Sequence, residues 1–240
     1  MQLTPMALQA LAAGYLRRDA GGEIVETPEG MYRRVAHCVA RGEVHYGGEA
    51  PADRWEEAFF QALADLDFLP CGTTLMNAGT PVGQLAPCVV LPVEDTLEEI
   101  FEALKRMAVI QQSGAGAGLG FSHLRSRGER AAATGSMASG PASFLSVFEV
   151  ASAQLQQGGR RRGRNLAVLH IEHADILEFL AAGGADPGAA SPAVIPRAVA
   201  VPDSFFEAAA RGGTHALRDP HSKQTRRSLP APEMLTQLAE

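Results

Sequence analysis

The feature that most constrains the fold is a change of hydrophobic period after Leu69-Pro70. Downstream, short apolar runs at 88–91, 119–122, 166–171 and 199–201 alternate with helical patterns near 95–112, 141–157, 173–182 and 203–211. Strands separated by helices pair in parallel, because each helix returns the chain to the edge where the next strand starts. Parallel strands are buried on both faces, which explains apolar runs that are continuous rather than alternating. The expectation is an α/β class: a helical N-terminal domain over 1–70, then an α/β layer over 71–240.

Upstream of residue 70 the helix signals are local. Thr4-Pro5 and Thr27-Pro28 each place a hydroxyl cap before a proline at the first helical position. Met6, Leu8, Leu11 and Leu16 are expected to supply the contacts of the first helix, and Met31, Val35, Cys38 and Val39 one face of the second. A third helix opens at Pro51, with Trp55, Phe59, Leu63 and Leu66 as its apolar face, and Cys38 reads as core packing. With 46% hydrophobic residues in 240, the chain can bury a sizeable core. Its net charge of −6 gives no general attraction to nucleic acid. Three cysteines without a close pair fit neither a disulfide framework nor a zinc site, which suits a reducing cytoplasm. No signal peptide and no membrane span are read. The chain stops inside a helical pattern that begins near Leu229-Pro, and is expected to be unfinished there.

Five segments could carry chemistry. Cys88 stands at the head of a β-branched run, after the turn-rich and hydroxyl-rich stretch Pro70-Cys-Gly-Thr-Thr-Leu-Met-Asn-Ala-Gly. Asp95-Thr-Leu-Glu-Glu-Ile then reads as an acidic cap opening an amphipathic helix. Ser113-Gly-Ala-Gly-Ala-Gly-Leu-Gly120 invites a dinucleotide-binding reading, but Leu119 falls where the third glycine is needed and a helix precedes it. Leu124-Arg-Ser-Arg-Gly128 is a basic loop suited to phosphate or, equally, a solvated turn. Gln157-Gly-Gly-Arg-Arg-Arg-Gly-Arg-Asn165 is not a Walker motif and has no aromatic platform for RNA, so a single nucleotide suits it better than a polymer. The 183–192 stretch is turn-forming and is expected to be a mobile loop.

Taken in order, six motifs resemble the large subunit of ribonucleotide reductases, the adenosylcobalamin-dependent kind in particular. They run from a first region formed by Tyr15-Leu-Arg-Arg-Asp and Glu26-Thr-Pro-Glu through Thr74-Leu-Met-Asn-Ala-Gly, Val93-Glu-Asp-Thr-Leu, Ser113-Gly-Ala-Gly and Gln157-Gly-Gly-Arg-Arg-Arg-Gly to His173-Ala-Asp-Ile-Leu-Glu-Phe. The resemblance implies the first part of a ten-stranded α/β barrel, with about four strands present. By matching position it implies that Cys88 is a redox thiol and that Thr73 and Thr74 lie in the substrate-phosphate loop. Asp95 would grip an effector hydroxyl as a helix cap, and Arg125 the effector phosphate. Gln157 and Arg161 would fall in a second specificity loop facing effector base and substrate base. The implied cofactors are adenosylcobalamin, contacted mostly outside this chain, and nucleoside triphosphate effectors.

The resemblance has limits within this sequence. The Asn-Pro-Cys-x-Glu loop that carries the radical cysteine in the family does not occur here. A second polypeptide bearing the rest of the barrel is therefore an expected partner, with a homodimer as a further one and neither nucleic acid nor membrane. Pro87, Gly72, Arg164 and the Ile195-Pro-Arg-Ala-Val-Ala-Val stretch depart from the family pattern. Cys71 stands where relatives carry Asn, and reads either as packing or as a thiol beside the phosphate loop. Two functions follow: part of a split or fragmentary reductase, or a non-catalytic deoxyribonucleotide-binding relative acting as a regulatory or pairing module.

Overall fold

Helix caps and buried stripes build the first of two units, and parallel strand pairing builds the second. The computed structural model describes residues 3–130, 135–155, 164–182 and 195–239. Among the described residues, one unit comprises residues 3–88 with 113–115; the other comprises Val89–Gln112 and the remaining described residues.

The first unit is helical. α1 (Pro5–Gly14) is capped by the Thr4 hydroxyl, which accepts from the Ala7 N–H at 3.2 Å. α2 (Pro28–Ala40) is capped in the same way by Thr27, which accepts from Gly30 at 3.1 Å. A 3₁₀ turn over Arg41–Glu43 leads to the short α3 (Val44–Gly47) and then to α4 (Glu49–Ala64). The core is built from Met31, Tyr32, Val35, Phe60, Leu63 and Leu75, with Cys38 packed against it as expected. Two expectations hold only in part. Leu16 is buried in this core and Leu11 packs against it, whereas Met6 and Leu8, in the first turn of α1, are 79% and 45% exposed. The buried stripe of α4 is Ala52, Phe60 and Leu63, while Trp55 stacks on Phe59 near the surface. Leu66 lies beyond the helix with a φ of 64°, in the left-handed region that ends the α4 spiral.

α5 (Gly72–Asn77) was not legible; the sequence reads as a turn-rich loop there. Its backbone is tied to α2 by one arginine. Arg34 donates to the carbonyls of Leu75 and Ala78 and pairs with Glu26 at 2.7 Å, both partners being under 10% exposed. Burial would raise the Glu26 carboxyl. The Arg34 guanidinium and the Arg17 N–H outweigh it and hold the carboxyl below its usual value.

The second unit contains β1 (Cys88–Pro92), α6 (Leu97–Gln112), β2 (Gly116–Gly120), α7 (Pro141–Gln154), β3 (Leu166–His170), α8 (Ile176–Ala181), β4 (Arg197–Ala200) and α9 (Asp203–Ala210). The sheet order is β1-β2-β3-β4, with parallel registers pairing Gly118 with Leu166 and Val168 with Ala198. The period change therefore predicts the α/β class and the strand count correctly. Phe121, Phe148 and Phe179 are fully buried beside the sheet, with Phe121 edge-on to Phe148 at 5.4 Å between centroids.

The glycine-rich segment differs from expectation. Gly116 to Gly120 is itself the strand rather than the approach to one. The reason is steric: a Cβ at Gly116 would collide with the Arg164 carbonyl, so only glycine lets β2 run there. Asn165, which fails a Walker motif, is buried and accepts from the Ala117 N–H at 3.0 Å, while its amide donates to Gln111 and Ser152. An antiparallel hairpin, β5 (Thr214–Arg218) and β6 (Thr225–Pro230), was also missed. Its exposed face is rich in arginine, and only His215 and Leu217 are buried on β5. α10 (Ala231–Ala239) follows it.

Candidate functional site

β1 delivers its carboxyl-terminal residues to the mouth of an open cleft. Beyond Pro92, the buried Val93 donates to the Gly120 carbonyl at 2.9 Å, which fixes the exit direction of the chain. Thr96, not Asp95, caps α6: its hydroxyl accepts from the Glu99 N–H at 3.2 Å and its carbonyl from Ile100. This corrects the capping role expected of Asp95. Since the threonine serves the helix, the Asp95 carboxylate is turned away from it. It accepts from Arg125 twice, from the backbone N–H at 2.8 Å and from Nε at 2.6 Å. The pair is largely withdrawn from water, with side-chain exposures of 11% and 24%. Charge-assisted bonds of this kind contribute about 1.5–3 kcal/mol each. Asp95 and Arg125 line one cleft of about 640 Å³ together with Leu97, Met137 and Phe144, at the amino end of a four-turn helix.

The loop that carries Arg125 is held residue by residue. His173 Nε2 donates to the Leu124 carbonyl at 2.8 Å. Asp95 receives the Arg125 N–H, Asp219 the Ser126 N–H at 2.8 Å, and Asp175 the Arg127 N–H at 2.7 Å. Four successive residues are thus fixed by four side chains from β1, β3 and the hairpin. The His173 tautomer is set by its surroundings, because Nδ1 accepts from the Asp175 N–H at 3.0 Å and leaves the proton on Nε2. Burial would raise the Asp219 carboxyl, yet the N–H groups of Ser126, Ser222 and His221 pull it down to about 2. Burial dominates at Asp175 and pushes that carboxyl up, against the Arg127 N–H. Sequence reading missed these anchors, although the His173-Ala-Asp motif contained two of them.

The residues expected to face substrate lie in the helical unit. Thr73 and Thr74 occupy the first turn of α5, not a loop. The Thr73 hydroxyl is buried with no hydrogen-bond partner among the described residues. The Thr74 hydroxyl donates to the Leu85 carbonyl at 3.0 Å and lies 3.1 Å from the Cys71 sulfur. Cys88 is exposed at the first position of β1. Gln157, Arg161 and the 183–192 stretch lie outside the described residues, except that 182 ends the described segment before it. Asp95 and Arg125, 30 residues apart in the chain, are the two predicted site residues that the structure brings into direct contact.

Residues 1–83 match the family described as the ribonucleotide reductase all-alpha domain, and residues 86–236 match its barrel domain. The chain belongs to the ribonucleotide reductase large-subunit family. It is 41% identical over 237 residues to a vitamin B12-dependent ribonucleoside-diphosphate reductase of Mycobacterium tuberculosis, covering 98% of this chain and 33% of that protein. A protein of the same name from Thermoplasma acidophilum is 33% identical over 288 aligned positions, covering 98% and 37%. The ribonucleoside-diphosphate reductase large subunit of Trypanosoma brucei brucei is 30% identical over 224, covering 89% and 25%. This reductase-family chain therefore spans about a third of the length of the relatives it matches most fully. Its helical unit and its four parallel strands correspond to the all-alpha and barrel portions of that family.

Proposed function

We propose that this chain is the amino-terminal portion of a ribonucleotide reductase that converts ribonucleotides to deoxyribonucleotides. The observation that carries the reading is the Asp95–Arg125 pair at the 640 Å³ cleft. An acceptor for a ribose hydroxyl and a cation for phosphate sit side by side there, as a deoxyribonucleotide effector requires. Arg125 is held by one Nε bond to Asp95, and its Nη1 lies 3.3 Å from the Arg130 carbonyl, so guanidinium donors remain to meet an anion. Thr73 and Thr74 are assigned to substrate phosphate, Gln157 and Arg161 to the second specificity loop.

Cys88 is assigned as one of two thiols that reduce the ribose. Two thiols lose two electrons and two protons to become a disulfide, while the 2′ hydroxyl leaves as water and the carbon it left gains hydrogen. The second thiol and the radical cysteine are assigned to a partner polypeptide or to the part of the family's length that this chain does not span. Adenosylcobalamin supplies the initiating radical when bound. None of the residues named above is assigned to hold it, and the 640 Å³ cleft is of ordinary small-ligand size. Among the described residues no helix is long and apolar enough to cross a membrane.

The test is a thermal-shift titration of this chain with each of the four deoxyribonucleoside triphosphates. At least one is expected to raise the melting temperature, and Asp95→Ala and Arg125→Ala to abolish that rise. Absence of any shift in the parent chain would remove the effector site. The second reading, a non-catalytic deoxyribonucleotide-binding module, keeps the shift but shows no ribonucleotide reduction when a chain bearing the radical cysteine and adenosylcobalamin are supplied.

A further inference from the structure

We infer that Asp219, at the start of the turn between β5 and β6, is a positioning residue of the effector site: it ties the hairpin to the Arg125 loop through one carboxylate that accepts on both sides. This rests on the proposed effector reading of Asp95 and Arg125. Asp219 Oδ1 faces the turn and accepts from the N–H groups of His221 at 2.9 Å and Ser222 at 2.7 Å. Oδ2 faces the loop and accepts from the Ser126 N–H at 2.8 Å, 93 residues away in the chain.

The Ser126 bond matters because of where it falls. The Arg125 N–H belongs to the peptide before the Arg125 Cα and is held by Asp95; the Ser126 N–H belongs to the peptide after it and is held by Asp219. Each peptide is a rigid plane, so fixing both planes fixes the two backbone dihedrals of Arg125 and the direction in which its side chain leaves the backbone. Two carboxylates, one beyond β1 and one on the hairpin, therefore aim the guanidinium from opposite sides.

An amide in the same place could not serve both sides. Asp219 is 1% exposed, and against the cost of burial its N–H partners hold the carboxyl down at about 2, so at neutral pH both oxygens only accept. Asn has one accepting oxygen and one donating NH₂. The two turn donors would keep the oxygen, and the NH₂ would meet the Ser126 N–H donor to donor. The turn also has backbone bonds of its own, from the Asp219 N–H to the Gln224 carbonyl at 3.1 Å and from the Lys223 N–H to the Asp219 carbonyl at 3.0 Å. Asp219→Asn thus releases the peptide after Arg125 and leaves the turn closed.

Dissociation constants for the four deoxyribonucleoside triphosphates are measured with this chain, with Asp219→Asn and with Leu229→Ala, beside amide hydrogen exchange read residue by residue by NMR. Leu229 lies on β6 and packs against the core, so its truncation weakens the same hairpin without touching the carboxylate. Asp219→Asn is expected to weaken the tightest-bound triphosphate about tenfold and to speed exchange of the Ser126 amide by at least about tenfold, with the His221 and Ser222 amides within about threefold of the parent. Leu229→Ala is expected to lower the melting temperature and leave the dissociation constant within about twofold. Unchanged affinity in Asp219→Asn, equal weakening in Leu229→Ala, equal loss of protection at all three amides, or failure of Asp219→Asn to fold overturns the inference. If the parent chain binds none of the four triphosphates, the effector reading of Asp95 and Arg125 fails first and the inference with it.

Discussion

The Arg125 loop and the α5 turn contrast in how their polar groups are settled. Around Arg125, four consecutive residues have a backbone group matched by a side chain from another element. Around α5, the Thr73 hydroxyl is buried without a partner among the described residues, and the Thr74 hydroxyl is engaged by Leu85. A satisfied network makes the first region a preorganised cradle whose ligand groups stay available. The second holds an unmet hydrogen bond, which costs about 1–3 kcal/mol unless a rearrangement satisfies it. The difference teaches that backbone polar groups around one cleft can be matched within a strand-and-helix layer while a threonine hydroxyl in the helical unit stays buried and unmatched among the described residues.

The largest expected effect separates the two regions outright. Cys88→Ser is expected to abolish ribonucleotide reduction in the complemented enzyme while leaving the deoxyribonucleotide thermal shift intact. Loss of both together in a folded variant would show that the regions are not separable. Next comes the frame behind α5. Arg34→Met leaves Glu26 buried and unpaired and is expected to destabilise the helical unit by about 3–5 kcal/mol, read from urea unfolding of the chain. The pair also has a sign in pH. The Glu26 carboxyl is lowered on folding, so its stabilisation is complete above the usual carboxyl value of 4.5 and fades as pH falls below it.

On the cradle side, Asp219 supplies a second pH limb. Its carboxyl drops from 3.8 to about 2 on folding, so its contribution is full above pH 3.8 and lost as pH falls toward 2. That shift is worth about 2 kcal/mol, and Asp219→Asn is expected to flatten the acid limb of a stability-against-pH curve by that amount. An unchanged acid limb would mean that the Ser126 and His221 N–H groups do not depend on that charge. Gly116→Ala is expected to cost at least about 2–3 kcal/mol, because its Cβ would meet the Arg164 backbone carbonyl and force the strand to shift, read as a lowered melting temperature with nucleotide selectivity unchanged.

Much of the layout was legible because it depends on neighbours in sequence. Thr4-Pro5 and Thr27-Pro28 start helices through hydroxyl caps that act over three residues. Apolar runs and helical periods mark β1, β3, β4 and the helices between them for the same reason. The misses share another cause. β2 is glycine-rich because another segment's carbonyl passes over it, and no local pattern announces that approach. Trp55 was placed on the apolar face of α4 with Phe59, Leu63 and Leu66, whereas the buried contacts fall on Phe60 and Leu63. The hairpin stayed hidden because its outward positions are arginines and serine rather than apolar residues.

The sequence by itself determined the succession of a helical segment and parallel strands, the motifs that join the chain to its family, and the two ionic residues, Asp95 and Arg125, that meet at the 640 Å³ cleft. Each is encoded in short-range pattern or composition. Tertiary structure alone decided that Thr96 rather than Asp95 caps α6, and that Asp95 therefore meets Arg125. It also brought His173, Asp175, Asp219 and His221 around one loop from positions 48 to 98 residues away. Hydrogen bonds reach only about 3 Å, so contacts across such chain distances exist only once the sheet and hairpin have folded.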